Sequence, residues 1–353
     1  IYQHNSINHT DMKYIKQLQL PVLILYMLLA FPMFYFAYKF GILLQGYKDA
    51  ESYLKLYENL SSPDVESPFN MRLISASIVH FMGKFGWCYS TECAIDAFPQ
   101  FNKVYYFNNL FFNFFCIALT SYSICISFIK LGISRWLAFM SGVLYLLGFG
   151  TLFYLMMPGP DAFSVLVFTW LLYFYLQKHV AVVPFFLILI LQREYYFLVF
   201  MIVAIMDFIK SKDRYYLLVW LLSILCFLTY FILRKTIFHT HHWAHQTSPE
   251  FLLHTLFNSD LQPIQLIKQT AMTMNIFFIY LGLIVYKWQK GLSINKHYLV
   301  VLILVLFEIT ILSYAATFGT NNGRYFYLNI PFILYLICLE LKPLESKLIS
   351  SQS

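Results

Sequence analysis

The feature that most constrains this chain is a series of ten long apolar runs. Because lipid offers no hydrogen bonds to the backbone, an apolar run of about 20 residues in a membrane forms a helix. The runs cover residues 18–40, 104–129, 136–157, 161–177, 180–192, 195–209, 215–234, 264–286, 298–318 and 325–341. The sequence therefore predicts an all-α, polytopic transmembrane helical bundle of about ten spans, forming a single integral membrane domain over 1–353.

Composition supports a lipid solvent. Apolar residues make up 60% of the chain and charged residues 12%, against roughly 45–50% and 25% in soluble domains. The net charge of +7 comes from Lys and Arg residues scattered one to three at a time between the apolar runs. That spacing orients helices in a membrane and argues against nucleic acid as a partner.

Charge placement predicts the orientation, since Lys and Arg accumulate in short cytoplasmic loops. With both termini cytoplasmic, every predicted inner loop carries positive charge. These residues are Lys13, Lys16, Lys130, Arg135, Lys178, Lys210, Lys212, Arg214, Lys287, Lys290, Lys296, Lys342 and Lys347. The runs 180–192 and 195–209, which are short, are read either as two thin spans or as one interrupted helix.

The predicted outer loops differ in character from the inner loops. The first, 41–103, holds seven of the seventeen acidic residues, and its segment 71–87 is expected to form an amphipathic helix in the outer interface. Cys88 and Cys93 lie in the same loop, where a local disulfide and two free thiols are both compatible with the sequence. A second outer loop, 235–262, is rich in histidine.

The first outer loop also carries the candidate acids and a candidate cation. Asp49 and Glu51 follow the first span, and partial desolvation at a membrane edge makes a carboxylate a better proton acceptor. Their alternative role is that of solvated loop charges. Arg72 follows a Pro turn, and its planar guanidinium suits a phosphate; snorkelling from an interfacial helix is the alternative.

Further candidates lie at the outer ends of later runs. An Arg close to hydrocarbon is costly unless paired, so Arg193 and Arg324 are candidate binding residues. Glu194 is a candidate as well, although it could instead neutralise Arg193. Asp161, which follows Pro160, is either a further binding residue or a helix-capping carboxylate.

The His-rich loop contains a dense group of imidazoles, at His239, His241, His242 and His245. His242 is predicted to contact lipid headgroups or an acceptor substrate, and metal binding is the alternative. Glu308 is the one acid deep within an apolar run. It either pairs with a polar group of a neighbouring helix or marks a transport path.

The order of these elements resembles the membrane glycosyltransferases of the GT-C superfamily, which use polyprenyl-phosphate sugars. The similar elements are the acidic residue early in the first outer loop, Pro68-Phe69-Asn70-Met71-Arg72-Leu73, Pro158-Gly159-Pro160-Asp161, Leu191-Gln192-Arg193-Glu194 and Gly323-Arg324-Tyr325-Phe326-Tyr327-Leu328-Asn329-Ile330-Pro331. As an arrangement, the resemblance extends over most of the chain.

The resemblance implies an inverting sugar transfer at the extracytoplasmic face, in a bacterial inner (plasma) membrane. Asp49 matches the general base, with Glu51 as its rival because Ala50 separates the two acids. Arg72, Arg193 and Arg324 would bind the lipid-linked phosphate. No cofactor is implied beyond the lipid-linked sugar, although a divalent metal stays an alternative. The partners would be membrane lipid, the polyprenyl-phosphate sugar and a glycan, lipid or protein acceptor.

Two other functions fit parts of the pattern. An envelope polysaccharide polymerase or ligase also uses outer arginines on a lipid diphosphate, but usually has its largest outer loop late in the chain. A transporter places polar residues and helix breaks at mid-membrane, for which Glu308 and the break at Gln192 are the only indications. The concentration of ionisable residues at one edge favours the glycosyltransferase.

Overall fold

The computed structural model describes residues 9–44, 47–65, 69–238, 275–316 and 326–350. Within these ranges the chain is helical and contains no strand. The described helices are α1 (His9–Leu44), α2 (Tyr47–Glu58), α3 (Leu73–Lys84), α4 (Lys103–Lys130), α5 (Arg135–Leu147), α6 (Asp161–Leu176), α7 (Val182–Ile190), α8 (Tyr195–Ser211), α9 (Arg214–Thr236), α10 (Asn275–Gln289), α11 (Lys296–Ala316) and α12 (Ile330–Ser350).

Three of the described helices are long and apolar enough to cross a membrane. They are Leu20–Gly41 within α1, the whole of α4 and the whole of α9, with mean hydropathies of 2.1, 1.8 and 2.4. At 1.5 Å per residue, each exceeds the roughly 30 Å of a bilayer's hydrocarbon core. The predicted all-helical, membrane-associated character is thus confirmed at this coarser level.

The run 136–157 does not form one continuous helix, and the helix within the run 180–192 is shorter than a span. The run 136–157 is interrupted because Gly148 adopts an extended conformation after α5, and a single π-helical turn follows at Thr151–Leu155. The run 180–192 contains only the nine residues of α7, about 13 Å long, which is too short to span a bilayer. The segment 180–209 is therefore two separate helices, α7 and α8.

The first outer segment contains more helix than the sequence predicted. Asp49 and Glu51, expected in a loop, lie in the first turns of α2. The helix predicted over 71–87 is present as α3, preceded by one 3₁₀ turn at Phe69–Met71. Both Cys88, which is exposed, and Cys93, which is buried, are free thiols.

Helix α4 lies at the centre of the described bundle and packs against α1, α5 and α6. Its most apolar window is 72% buried, against 17% for α1 and 28% for α9. Leu28, Leu218 and Leu225 are among the large side chains that these outer helices leave exposed. An apolar outer surface is what a lipid solvent requires, since the bilayer and not the protein covers it.

Helix α8 extends between two polar regions of the bundle. Its first residue, Tyr195, follows the break after α7, and Asp207 lies in its last two turns. The rise of an α-helix separates these two residues by about 18 Å. We call the two ends of the bundle the Arg193 end and the Asp207 end.

Candidate functional site at the break between α7 and α8

The break between α7 and α8 is organised by the side chain of Gln192, which is fully buried. Its amide nitrogen donates to the Pro160 carbonyl at 3.0 Å and to Ser164 Oγ at 3.2 Å. Its amide oxygen accepts from the Ser75 backbone N–H at 3.2 Å. One amide thereby joins the helix break to the start of α6 and to the first turn of α3.

Arg72 reaches the same break from the first outer segment. The 3₁₀ turn before it closes with a hydrogen bond from Arg72 N to Phe69 O at 3.0 Å. Its Nη1 donates to the Gln192 carbonyl at 3.0 Å and to Glu194, and its Nη2 donates to the other Glu194 oxygen at 3.1 Å. Both prongs of the guanidinium are therefore held by one carboxylate.

Arg193 forms a second ion pair beside the first. Its Nη2 lies 3.0 Å from Asp161 Oδ1, and both side chains are buried, with 6% and 1% exposure. Removing one partner of such a pair is costly because it leaves an unpaired buried charge. The pairing differs from the alternative suggested by the sequence: Asp161, not Glu194, pairs with Arg193, and Glu194 pairs with Arg72.

We call Arg72, Asp161, Gln192, Arg193 and Glu194 the arginine cluster. Glu194 is its most accessible member, with 24% of the side chain exposed, whereas Arg72 is 3% exposed. Burial alone would raise the pKa of the Glu194 carboxyl, but the charge and hydrogen bonds of Arg72 outweigh it and lower the pKa to about 2. The Glu194 carboxyl is thus ionised at neutral pH and pairs with the Arg72 guanidinium.

The start of α12 lies against the same region. Asn329 Nδ2 donates to the Tyr195 hydroxyl, and the Tyr196 hydroxyl donates to the Leu328 carbonyl at 3.0 Å. Tyr196 is also within electrostatic range of Arg193 and Asp161. Arg324 belongs to the same motif in the sequence, but it lies outside the described residues, as does His242 with the rest of its His-rich group.

Asp49 and Glu51 face different sides of α2. Asp49 precedes Tyr53 by one helical turn, so the two share a face, and Tyr53 is buried within electrostatic range of Arg72. Glu51 instead pairs with the exposed Lys55 at 2.9 Å. Asp49 therefore shares the face of α2 that carries Tyr53, whereas Glu51 forms an ion pair along the helix with Lys55.

Polar groups also meet at the opposite end of α8. Asp207 accepts hydrogen bonds from the Tyr175 hydroxyl at 2.6 Å and from His297, whose Nε2 lies 2.7 Å away. The sequence does not indicate that these residues meet. It shows only that Asp207 is an acid near the end of an apolar run. The role of the Gln192 side chain was likewise not predicted, although the sequence placed Gln192 within the break.

Metal binding has no candidate site in the part of the chain that the structure describes. There, no three His, Cys, Asp or Glu side chains come together in an arrangement that could hold an ion. Asp161 and Glu194, the two acids of the arginine cluster, are instead each paired with a guanidinium.

No family model matches the chain, and neither a curated protein nor a solved structure matches it significantly. The resemblance to the GT-C superfamily therefore depends on the sequence motifs alone.

Proposed function

We propose that this protein is an integral membrane glycosyltransferase of the GT-C kind, with about ten spans, in a bacterial plasma membrane. It would transfer a sugar from a polyprenyl phosphate to a glycan, lipid or protein acceptor at the extracytoplasmic face. The observation that carries the proposal is that Arg72 and Arg193, which lie far apart in the sequence, meet at one end of the bundle. A leaving phosphate needs such cationic hydrogen-bond donors.

In the proposed reaction, Asp49 takes the proton of the acceptor hydroxyl. The acceptor oxygen then forms a bond to the anomeric carbon while the bond from that carbon to the phosphate oxygen breaks. The leaving polyprenyl phosphate keeps the electron pair, and Arg72 and Arg193 stabilise the charge that develops on it. We prefer Asp49 to Glu51 as the base because Asp49 lies one helical turn before Tyr53, which is within electrostatic range of Arg72.

Glu194 would serve as an internal substitute for the donor phosphate. It occupies both prongs of Arg72 and is the partly exposed member of the arginine cluster. A phosphate entering from that side would take over the two hydrogen bonds, so Arg72 would be paired both before and after donor binding. That exchange avoids the large cost of an unpaired buried guanidinium.

A second candidate is an envelope polysaccharide polymerase or ligase that acts on a lipid diphosphate. Two guanidiniums within one cluster match two phosphate groups as well as one. The two functions differ in the donor, so turnover of polyprenyl-phosphate sugars and of polyprenyl-diphosphate glycans by the same purified protein distinguishes them. The proposed glycosyltransferase turns over the monophosphate.

The test of the proposed function compares Asp49→Asn with Glu51→Gln in liposomes supplied with a radiolabelled polyprenyl-phosphate sugar. Asp49→Asn should reduce transfer by at least 100-fold, as expected for loss of a general base. Glu51→Gln, which removes an exposed ion pair, should leave transfer within a few-fold of the parent. Full activity of a folded Asp49→Asn protein would refute the assignment of the base.

A further inference from the structure

The Asp207 end of the bundle brings two polar turns side by side. One joins α8 to α9, and the other joins α10 to α11. The 2.7 Å contact between Asp207 and His297 links them, and Lys210 Nζ lies 5.7 Å from the centre of the Tyr298 ring. Residues more than 80 positions apart therefore form one continuous surface.

The acids at this end are already engaged. Asp207 is bound by Tyr175 and His297, and Asp213 pairs with Lys178. Glu340 pairs with the buried Lys287 and also accepts a hydrogen bond from the Asn295 backbone at 3.1 Å. These carboxylates are thus committed to partners other than the exposed lysines and arginine of the two turns.

Five exposed basic residues remain on this surface, and none of them forms an ion pair within the described part of the chain. We call them the basic patch: Lys210, Lys212, Arg214, Lys290 and Lys296. Five like charges on adjoining turns repel one another, so the surface favours an anionic partner.

Apolar side chains adjoin the basic patch. Ile209 is 54% exposed beside Lys210, and Leu218 is 64% exposed one turn beyond Arg214. Trp288, which precedes Lys290 by two residues, is 75% exposed, and exposed Trp is typical of the level of lipid headgroups. A partner with an anionic group joined to hydrocarbon fits this combination, whereas a free phosphate uses only the charges.

The backbone gives an independent indication that the lysines matter. Lys178 and Lys212 both adopt left-handed φ angles, of 52° and 58°, at the ends of α6 and α8. Glycine is the usual residue in that position because a Cβ is strained there. The charge of Lys178 is used in its ion pair with Asp213, so Lys212 is the residue at which a strained φ points to a use for the charge on the surface.

We propose that the basic patch binds the headgroups of anionic phospholipids. The phosphates would interact with the patch while the acyl chains cover Ile209, Leu218 and the neighbouring apolar surface. This inference is independent of the proposed sugar transfer, because the basic patch and the arginine cluster lie at opposite ends of α8.

The test uses the purified full-length protein in uncharged detergent and measures energy transfer from tryptophan to dansyl-labelled phosphatidylglycerol. Dansyl-labelled phosphatidylcholine serves as the zwitterionic reference. Each near-surface basic residue contributes about 1 kcal/mol to the attraction of anionic lipid, so Lys210→Gln or Lys296→Gln should raise the half-saturating concentration about five-fold. Lys84→Gln, which removes the exposed lysine that ends α3 on the other side of the bundle, should leave that concentration unchanged.

The variant Lys212→Gly distinguishes the effect of losing the charge from an effect on the stability of the fold. It removes the charge at a position where glycine relieves the strained φ, so the melting temperature in phosphatidylcholine should not fall, yet phosphatidylglycerol binding should weaken about five-fold. Equal binding of both lipids, or an equal effect of Lys84→Gln, would overturn the proposal. Full displacement of the labelled lipid by millimolar inorganic phosphate would also overturn it, since it would indicate a site for free anions.

Discussion

Arg72 and Glu194 form a two-pronged ion pair that ties the start of α3 to the break between α7 and α8. The guanidinium is almost fully buried, and the carboxylate is its only charged partner among the described ion pairs. This contact connects the first outer segment to the later helices. Several properties of the protein should therefore depend on it.

Arg72→Leu should destabilise the protein by about 3–5 kcal/mol, because it leaves the partly buried Glu194 carboxylate without its guanidinium partner. The double variant Arg72→Leu with Glu194→Leu should recover much of that loss, since it removes both charges. Thermal unfolding in detergent, followed by circular dichroism, measures the two effects. Strictly additive losses would contradict a direct coupling between the two residues.

The stability that Glu194 contributes should depend on pH in a defined window. Its folded pKa of about 2 lies below its ordinary value of 4.5, so the ionised form is favoured by folding. The contribution is complete above about pH 4.5 and declines as the pH falls toward 2. The difference in melting temperature between the parent and Glu194→Gln should hold from pH 7 to 5 and shrink below pH 4.

The opposite pH behaviour would argue against the ion pair. A difference that grows on acidification, or that disappears already between pH 7 and 6, would mean that another group dominates. Glu51→Gln is a suitable comparison, because its ion pair with Lys55 is largely exposed and contributes little.

Gln192→Met should destabilise the protein by about 1–3 kcal/mol while keeping a side chain of similar size. The substitution leaves the Ser75 N–H without the acceptor that Gln192 provides, and an unmade buried hydrogen bond costs about that much. Chemical denaturation measures the loss. A neutral result would mean that the amide does not hold the break together.

Two helical glycines should respond oppositely to alanine. At Gly142 in α5, a Cβ would lie 2.8 Å from the Ser121 carbonyl and would collide with the Tyr26 ring, so Gly142→Ala should cost about 1–3 kcal/mol. At Gly282 in α10, a Cβ meets nothing within 4 Å among the described residues. Gly282→Ala should be neutral or stabilising by up to about 1 kcal/mol. The melting temperatures of the two variants, each compared with the parent, test both expectations.

Asp207→Ala should lower the stability of the protein while leaving the proposed activity nearly unchanged. It removes the acceptor of Tyr175 and His297 and should lower the melting temperature. The site at the Arg193 end is about 18 Å away along α8, so transfer per folded molecule should change less than two-fold. A large loss of transfer in protein that is still folded would place Asp207 in the proposed reaction.

The sequence predicted much of the helical framework, because apolar runs in a lipid solvent have few alternatives to helix. Its errors in the runs 136–157 and 180–192 arise because hydropathy does not show where a helix ends within an apolar run. Gly148 ends α5 early, and α7 is too short to span. Helix α2 was missed because its mixed polar and apolar residues resemble those of a loop.

By itself, the sequence determined that the chain is helical and apolar and that Arg72, Asp161, Arg193 and Glu194 were residues of interest. Only the tertiary structure decided which arginine pairs with which acid. The physical reason is that apolar composition acts residue by residue, whereas a buried ion pair depends on two side chains from distant segments meeting, as Arg193 and Asp161 do at 3.0 Å. Spacing along the chain does not encode that approach.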